Sequence, residues 1–394
     1  MKTSTRCVQL GRANDVHGAF VPPIYQTATF EQPTATEFGE YDYTRSGNPT
    51  RSVLEQQLAN LEDAEYACAF ASGMAALTAL TRIVRPGEEI IAGADLYGGT
   101  VRLLESLSVN QNIAVRYLDT SDVESVRRAA SLRTRLILVE TPSNPSFRIT
   151  DIRELAALAR SVNAYLAVDN SMLSPIFQRP LNVGADIVLH SATKFLCGHS
   201  DVTAGAVITN NSRIHEAIAF QQNAEGAGLS PFESWLLLRG LKTLALRVER
   251  QNQSARKIAE FLESHPSISR VFYPGLQSNE GYDVHRRQAD GDGAVLSFTT
   301  NDSAYSARIV EGTRLFRIAV SFGSVGSTIS LPCHMSHASI PVALRDRLGP
   351  PADLVRLSVG IEDVDDLLED LSQALSASDS TDCVVQYVEC AADC

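Results

Sequence analysis

Short apolar runs and segments of helical period alternate between about residues 50 and 240. Apolar side chains recurring every three or four positions predict helices over 50–61, 74–84, 100–108 and 151–161. Between and after them lie runs rich in β-branched and small apolar residues, at 66–71, 89–92, 114–117, 136–140, 164–168 and 185–190. Strands alternating with helices predict a mostly parallel sheet with helices on both faces. Turn formers punctuate the pattern: Arg85-Pro86-Gly87 closes a helix, and Thr141-Pro142 closes a strand.

After Gly240 the pattern changes. Residues 242–264 read as one long helix, with Leu244, Leu246, Val248, Ile258 and Phe261 as its apolar positions. Strands follow at 295–298, 318–322, 328–331 and 354–359, and a closing helix at 363–375 has Asp363 as its N-cap. This is a smaller α+β domain, so the predicted units are 49–240 and 241–375. Residues 1–48 hold Pro22-Pro23, Pro33, Gly39 and Gly47-Asn48-Pro49 and little core material. They are expected to form an extended arm that docks elsewhere, on a second subunit. Residues 376–394, rich in Ser, Asp and Cys, read as a disordered tail.

Composition narrows the function class. With 394 residues, 44% of them hydrophobic, the chain can bury a large core. A net charge of −12, from 34 basic and 46 acidic residues, disfavours nucleic acid as a partner. No apolar run approaches the ~18 residues of a membrane span. No hydrophobic stretch follows Met1-Lys2-Thr3-Ser4-Thr5-Arg6, so a secretory leader is not expected. The expected setting is cytoplasmic, or organellar after removal of a presequence. Cys7, Cys68, Cys197 and Cys333 are dispersed without a CxxC pair and are expected to be reduced. Cys383, Cys390 and Cys394 crowd the tail, and without further ligands their spacing does not make a zinc site.

The chemistry concentrates at strand ends. Lys194, in Ser191-Ala192-Thr193-Lys194, directly follows one apolar run, and Asp169 ends another. A lysine alone at a strand end is usually solvated. A lysine and an aspartate delivered to the ligand-binding edge of one sheet suit a pyridoxal phosphate enzyme. The amine forms the Schiff base and the carboxylate keeps the pyridinium nitrogen protonated. Ser72-Gly73-Met74 passes from a strand into a helix whose N-terminus can receive a phosphate, with the Ser191 and Thr193 hydroxyls beside Lys194. Tyr97 follows another strand, where its ring can stack on a cofactor or simply pack in a loop. Arg356 lies among apolar neighbours and needs an anion, either a structural carboxylate or a substrate carboxylate.

Several segments together resemble the Cys/Met-metabolism family of fold-type I pyridoxal phosphate enzymes. They are Tyr43-Thr44-Arg45-Ser46-Gly47-Asn48-Pro49-Thr50, Phe70-Ala71-Ser72-Gly73-Met74, Asp95-Leu96-Tyr97-Gly98-Gly99-Thr100, Glu140-Thr141-Pro142-Ser143-Asn144-Pro145, Val168-Asp169-Asn170-Ser171 and Ser191-Ala192-Thr193-Lys194-Phe195. The resemblance implies a fold of the aspartate aminotransferase type. It implies Lys194 as cofactor lysine and acid–base, Asp169 on the ring nitrogen, and Tyr97 on the ring and as a catalytic and substrate-contacting residue. Ser72, Gly73, Met74, Ser191 and Thr193 would bind phosphate, and Asn144 would approach the ring hydroxyl. Tyr43 and Arg45 would reach a neighbouring subunit's phosphate, in a homotetramer built as a dimer of active dimers. Arg356 and the backbone around Ser321 would hold the carboxylate of an amino-acid substrate.

Gly198-His199-Ser200-Asp201-Val202, Phe322-Gly323-Ser324-Val325, Met335-Ser336-His337-Ala338-Ser339-Ile340-Pro341 and Gly360-Ile361-Glu362-Asp363-Val364-Asp365-Asp366 resemble the plant-type β-lyase branch. That branch implies cleavage of L-cystathionine to homocysteine, pyruvate and ammonia, a step towards methionine. Family members with γ-chemistry tend to carry glutamate where this chain has Val320, and methionine γ-lyases tend to carry cysteine at the position of Gly99. Both departures favour β-elimination. Gly326-Ser327 replaces a usual glutamate, so γ-lyase or γ-synthase activity, or a different cysteine S-conjugate, are the alternatives. Other classes fit less. The penicillin-recognising reading of Ser191-x-x-Lys194 lacks its Ser-Asp-Asn and Lys-Thr-Gly partners. A zinc hydrolase would need Cys333, His334 and His337 as ligands. A catalytically silent scaffold would not need Lys194, Asp169, Tyr97 and Arg356 together.

Overall fold

A computed structural model describes residues 1–9, 17–338, 340 and 342–379. Its large sheet contains β1 (Tyr66–Phe70), β2 (Glu89–Gly93), β3 (Ala114–Leu118), β4 (Thr134–Glu140), β5 (Tyr165–Asp169), β6 (Ile187–His190) and β7 (Gly205–Thr209). The spatial order is β1-β7-β6-β5-β4-β2-β3. The pairs β2–β3, β2–β4, β4–β5 and β5–β6 are parallel, whereas β7 runs antiparallel to both β6 and β1. The expectation of a mostly parallel sheet is met.

Alternation along each strand fills both faces. Cys68 and Phe70 join a core with Leu77, Leu80, Leu104 and Ile218 on one side, while Ala67 and Ala69 pack with Leu54 and Leu58 on the other. In β4, Leu136 and Leu138 face the first side, and Ile137 and Val139 face Leu155 and Leu158. Ser72, Asp122, Asp151 and Ser230 cap the helices Gly73–Thr81, Val123–Ala129, Ile152–Ser161 and Pro231–Leu241 through side-chain oxygens.

A five-stranded second sheet holds β8 (Arg270–Phe272), β9 (Val295–Thr299), β10 (Arg317–Ile318), β11 (Thr328–Ser330) and β12 (Val355–Ser358), in the order β10-β11-β12-β9-β8. The closing helix is Val364–Asp379, and Asp363 Oδ1 accepts from Asp365 N at 3.0 Å, as the N-cap reading requires.

Four expectations need correction. The long helix is Leu244–Glu263; Lys242 and Thr243 separate it from Pro231–Leu241. The strand expected over 318–322 stops at Ile318, because Ser321 and Gly323 take φ of 81° and 87°, which a strand cannot accommodate. Residues 1–48 are not wholly irregular. Helix Thr3–Val8 buries Cys7 in the core that the long helix shares. The closing helix also runs through residues 376–379, beyond its expected end at 375; the remaining tail, with Cys383, Cys390 and Cys394, lies outside the described residues. Among the described residues no helix is long and apolar enough to cross a membrane.

Candidate active site

The parallel strands β4, β5 and β6 end side by side. Glu140 pairs in register with Asp169, and Asp169 with Leu189, so the turn carrying Ser191 to Lys194 emerges beside Asp169. These strand ends open into a cavity of about 450 Å³. Ser72, Gly73 and Met74, at the start of helix Gly73–Thr81, form another wall. Gly73 is required there by close approach: a Cβ on it would lie 3.0 Å from Ser191 Cβ and Oγ. The first N–H groups of that helix have no intrahelical acceptor, so this wall suits an anion.

Lys194 Nζ donates to Ser321 Oγ and lies 4.9 Å from the centroid of Phe322. Burial, and then the Arg356 charge, lower its pKa to about 8 against the upward pull of Asp169 and Glu140. Asp169 Oδ1 accepts from Ser171 N at 2.9 Å. Burial raises its pKa, opposed by the Ser171 hydrogen bonds and by the His190 and Lys194 charges. The backbone behind Lys194 is pinned. Arg247 Nη1 donates to Phe195 O at 2.9 Å, and Gly323 packs so tightly that a Cβ would lie 2.7 Å from Phe195 N.

Arg356, buried in β12, donates from Nη1 to Asn144 Oδ1 at 2.9 Å and from Nη2 to Ser321 O at 3.0 Å. Burial lowers the guanidinium pKa to about 10 against the upward pull of Glu140. Glu140 itself is pushed well up, first by burial and then by the Asp169 and Asp95 carboxylates. His337 Nε2 donates to Asn144 O at 3.3 Å, and its Nδ1 accepts from Ser336 Oγ at 2.9 Å. Burial and Arg356 hold His337 neutral, near pKa 4. With both ring nitrogens engaged, His337 is no zinc ligand.

The cavity thus brings together Lys194, Asp169, Tyr97, Asn144, Ser321 and Arg356. The Ser72-Gly73-Met74 turn, Ser191 and Thr193 complete it, although Thr193 Oγ1 donates to Ala204 O at 3.2 Å. Tyr43 and Arg45 are not in it. They stack on each other, 5.5 Å from guanidinium to ring, on the surface of their own chain. Sequence reasoning missed Glu140, Arg102, Met335 and Ser336 as lining residues. Glu140 was readable as a second carboxylate at a strand end; Met335 and Ser336 lie in a segment that carried the resemblance, and Arg102 had no local signal.

Pyridoxal phosphate fits this donor set. A buried carboxylate whose charge is disfavoured would gain from a protonated ring nitrogen, the helix start would take the phosphate, and Lys194 is an amine of depressed pKa. A profile of the family described as Cys/Met metabolism PLP-dependent enzyme matches residues 4–376. The chain belongs to this family. Members similar to it include chloroplastic cystathionine beta-lyase from Arabidopsis thaliana, 51% identical over 94% of this chain and 80% of that one. Cystathionine gamma-lyase from Bacillus subtilis is 44% identical over 95% and 99%. The crystal structure of metB from Corynebacterium glutamicum superposes with a TM-score of 0.93 at 43% identity, over 96% and 98% of the two chains. The fold expectation is thereby met, and the family's cofactor is pyridoxal phosphate.

Proposed function

We propose that the protein is a pyridoxal phosphate-dependent carbon–sulfur β-lyase that converts L-cystathionine and water to homocysteine, pyruvate and ammonia. The observation that carries this reading is the convergence of Lys194, Asp169, Tyr97 and Arg356 on one cavity whose rim residue before Ser321 is the apolar, half-exposed Val320.

The bound cofactor supplies an electron sink for the pair left at Cα. This chain's residues do the rest. Arg356, oriented by Asn144 and by Ser321 O, grips the substrate α-carboxylate in bidentate fashion. Lys194 takes the Cα proton, and Ser321 Oγ steadies its free amine during turnover. With the cofactor bound, Tyr97 would cover its ring, Asp169 would hold the ring nitrogen's proton, and Asn144 would serve the ring hydroxyl. Ser72, Gly73, Met74, Ser191 and Thr193 would seat the phosphate. Loss of the Cβ–S bond then releases the thiol. Arg102 at the mouth offers a second cation, which suits a substrate with a distal carboxylate.

Tyr43 and Arg45, outside their own cavity, serve the phosphate of a neighbouring subunit. Exposed Phe20, Val21, Ile24, Tyr25 and Phe38 give their arm an apolar docking surface. The exposed arm and the family support a homotetramer of two active dimers, and the proposed setting is the cytoplasm or an organelle, in methionine biosynthesis. The units 1–48, 49–240 and 241–375 correspond to this arm, the cofactor domain and the domain that brings Arg356.

The deciding test is product identification. L-cystathionine should yield pyruvate and homocysteine; 2-oxobutyrate with cysteine would place the chain with its γ-lyase relatives. A protein that takes up no pyridoxal phosphate would be a silent scaffold.

A further inference from the structure

Two loops reach the catalytic cavity separately from neighbouring strands, β2 and β4. After β2, Asp95 and Leu96 lead to Tyr97, and Gly98 then opens helix Gly98–Gln111. After β4, residues 141–150 form a loop that bears Asn144, whose Oδ1 accepts from Arg356. Tyr97 and Asn144 line the cavity. Asp95, Ser143 and Ser146 do not; they line a neighbouring cleft that shares Glu140 with it.

One carboxylate ties the two loops together. Asp95 Oδ2 accepts from Ser143 Oγ and from Ser146 N, the latter at 3.1 Å. Ser143 Oγ in turn accepts from Arg148 N at 2.9 Å, which leaves its hydroxyl proton for Asp95. Asn144 therefore lies between two residues that hang on a single oxygen, two positions before Tyr97. The rest of the loop is anchored elsewhere. Thr150 N donates to Thr141 Oγ1 at 3.0 Å, the Thr120 and Thr150 hydroxyls share a hydrogen bond at 2.7 Å, and Arg148 pairs with Asp119. These anchors tie the base of the loop to the end of β3. Arg356 and His337 hold Asn144 from the smaller domain, and Asp95 holds its neighbours from the large sheet.

Tyr97 needs such a reference because its own hold is slight. It is 42% exposed, it caps its helix without a side-chain hydrogen bond, and its N–H reaches Glu140 Oε2 only at 3.4 Å. Packing of this segment is supplied by Leu96, buried in the core. Asp95 adds what packing lacks, a directional bond from one strand end to the loop of another.

We infer that Asp95 is a positioning residue: through Ser143 and Ser146 it sets the loop of Asn144, and with it the Arg356 guanidinium, against the loop of Tyr97. Loss of this tie displaces the substrate grip and the ring cover relative to each other. The inference rests on the pyridoxal phosphate-dependent lyase reading of the cavity.

The test uses the full-length enzyme loaded with pyridoxal phosphate, with sites counted by bound cofactor. It reads KM for L-cystathionine, kcat, and the visible circular dichroism of the cofactor. Asp95→Ala removes both bonds; it should raise KM about tenfold, the loss expected of a hydrogen bond to a charged group, and change the dichroism. Asp95→Asn keeps an acceptor oxygen in place and should return KM to within about twofold of the wild type. Ser143→Ala cuts the tie from the other loop and should act in the same direction, so it stands in should Asp95→Ala not fold. The Asp95→Ala/Ser143→Ala double variant should be no worse than Asp95→Ala, since both changes remove one tie. Wild-type KM and dichroism in the folded alanine variants, whatever stability they lose, would overturn the inference and leave a purely structural contact. So would an asparagine variant as impaired as the alanine one, or two losses that multiply in the double variant. A wild type that takes up no pyridoxal phosphate, or that does not cleave L-cystathionine, would instead remove the underlying reading.

Discussion

Ser321 receives Lys194 on its hydroxyl and Arg356 on its carbonyl. One residue of positive φ therefore links the amine proposed to move the proton to the guanidinium proposed to grip the substrate. The linkage makes Arg356 sensitive to shape as well as charge. Arg356→Lys keeps the charge but cannot bridge Asn144 Oδ1 and Ser321 O together. KM for L-cystathionine should rise by about 10–100-fold, with a smaller effect on kcat. Steady-state kinetics check this, and an unchanged KM would remove Arg356 from the carboxylate role.

Burial and Arg356 bring Lys194 down to a pKa of about 8, against an ordinary lysine value near ~10.4. The amine must be neutral to attack the cofactor aldehyde. Covalent uptake by the cofactor-free protein should therefore accelerate as pH rises through about 8 and level off above it. Stopped-flow absorbance reads this directly. The same shift affects stability: the unfolded chain holds this proton up to a higher pH, so folding gains as pH rises between the two values and the penalty is complete below the lower one. A rate that keeps rising about tenfold per pH unit through about pH 9, without levelling, would show that Lys194 is not depressed.

Gly323 presses on the backbone that carries Lys194. Its φ of 87° and the 2.7 Å approach of a Cβ to Phe195 N leave no room for alanine. Backbone atoms cannot rotate aside as a side chain can. Gly323→Ala should cost more than about 2 kcal/mol in denaturant titration and weaken cofactor retention. A variant that melts and binds like the wild type would mean that this loop is free to move.

Much of this was legible in the sequence, for physical reasons. Period and turn chemistry located the strands of the large sheet and most of its helices, and those strand ends carried Lys194 and Asp169 to a common edge. The failures are non-local. The run at 318–322 has strand composition, yet Ser321 must turn to serve both Lys194 and Arg356, and that need arises only once β12 is in place. The short helix Val123–Ala129 is too brief to show a period. Asp95 and Ser143 are separated by 48 positions and meet only through the strand order, which sets β2 beside β4. Tyr43 and Arg45 illustrate the opposite limit: family motifs marked them as site residues, yet their own chain keeps them outside the cavity.

That separation is testable by complementation. A Tyr43→Ala/Arg45→Ala chain should lose most activity because it cannot finish its neighbour's phosphate site. A Lys194→Ala chain has no catalytic amine but has an intact arm. Mixed and reassembled, the two should regain activity, since a hybrid dimer contains one cavity with both Lys194 and a wild-type arm. Random association sets an upper bound of about one quarter of wild-type activity for dimers. No recovery in mixtures shown by mass spectrometry to contain hybrids would mean that the arm does not act across subunits.

Val320 offers the sharpest test of reaction choice. It is 59% exposed and lies on the cavity rim directly before Ser321, so a change there should alter stability by no more than about 0.5 kcal/mol. β-Elimination requires one proton to leave Cα, whereas γ-elimination also requires one to leave Cβ and a substrate held by its distal amino group. Val320 has no charge for that group. Val320→Glu places a carboxylate at the rim, where it can pair with a distal ammonium and turn the opposite C–S bond towards the cofactor. The variant should release 2-oxobutyrate as a larger share of total keto acid from L-cystathionine, at lower overall turnover. Chromatography of the derivatised keto acids measures the ratio. A product ratio identical to the wild type, in a variant that still binds substrate, would show that the rim charge does not set the regiochemistry and that the choice lies deeper, between Tyr97 and Lys194.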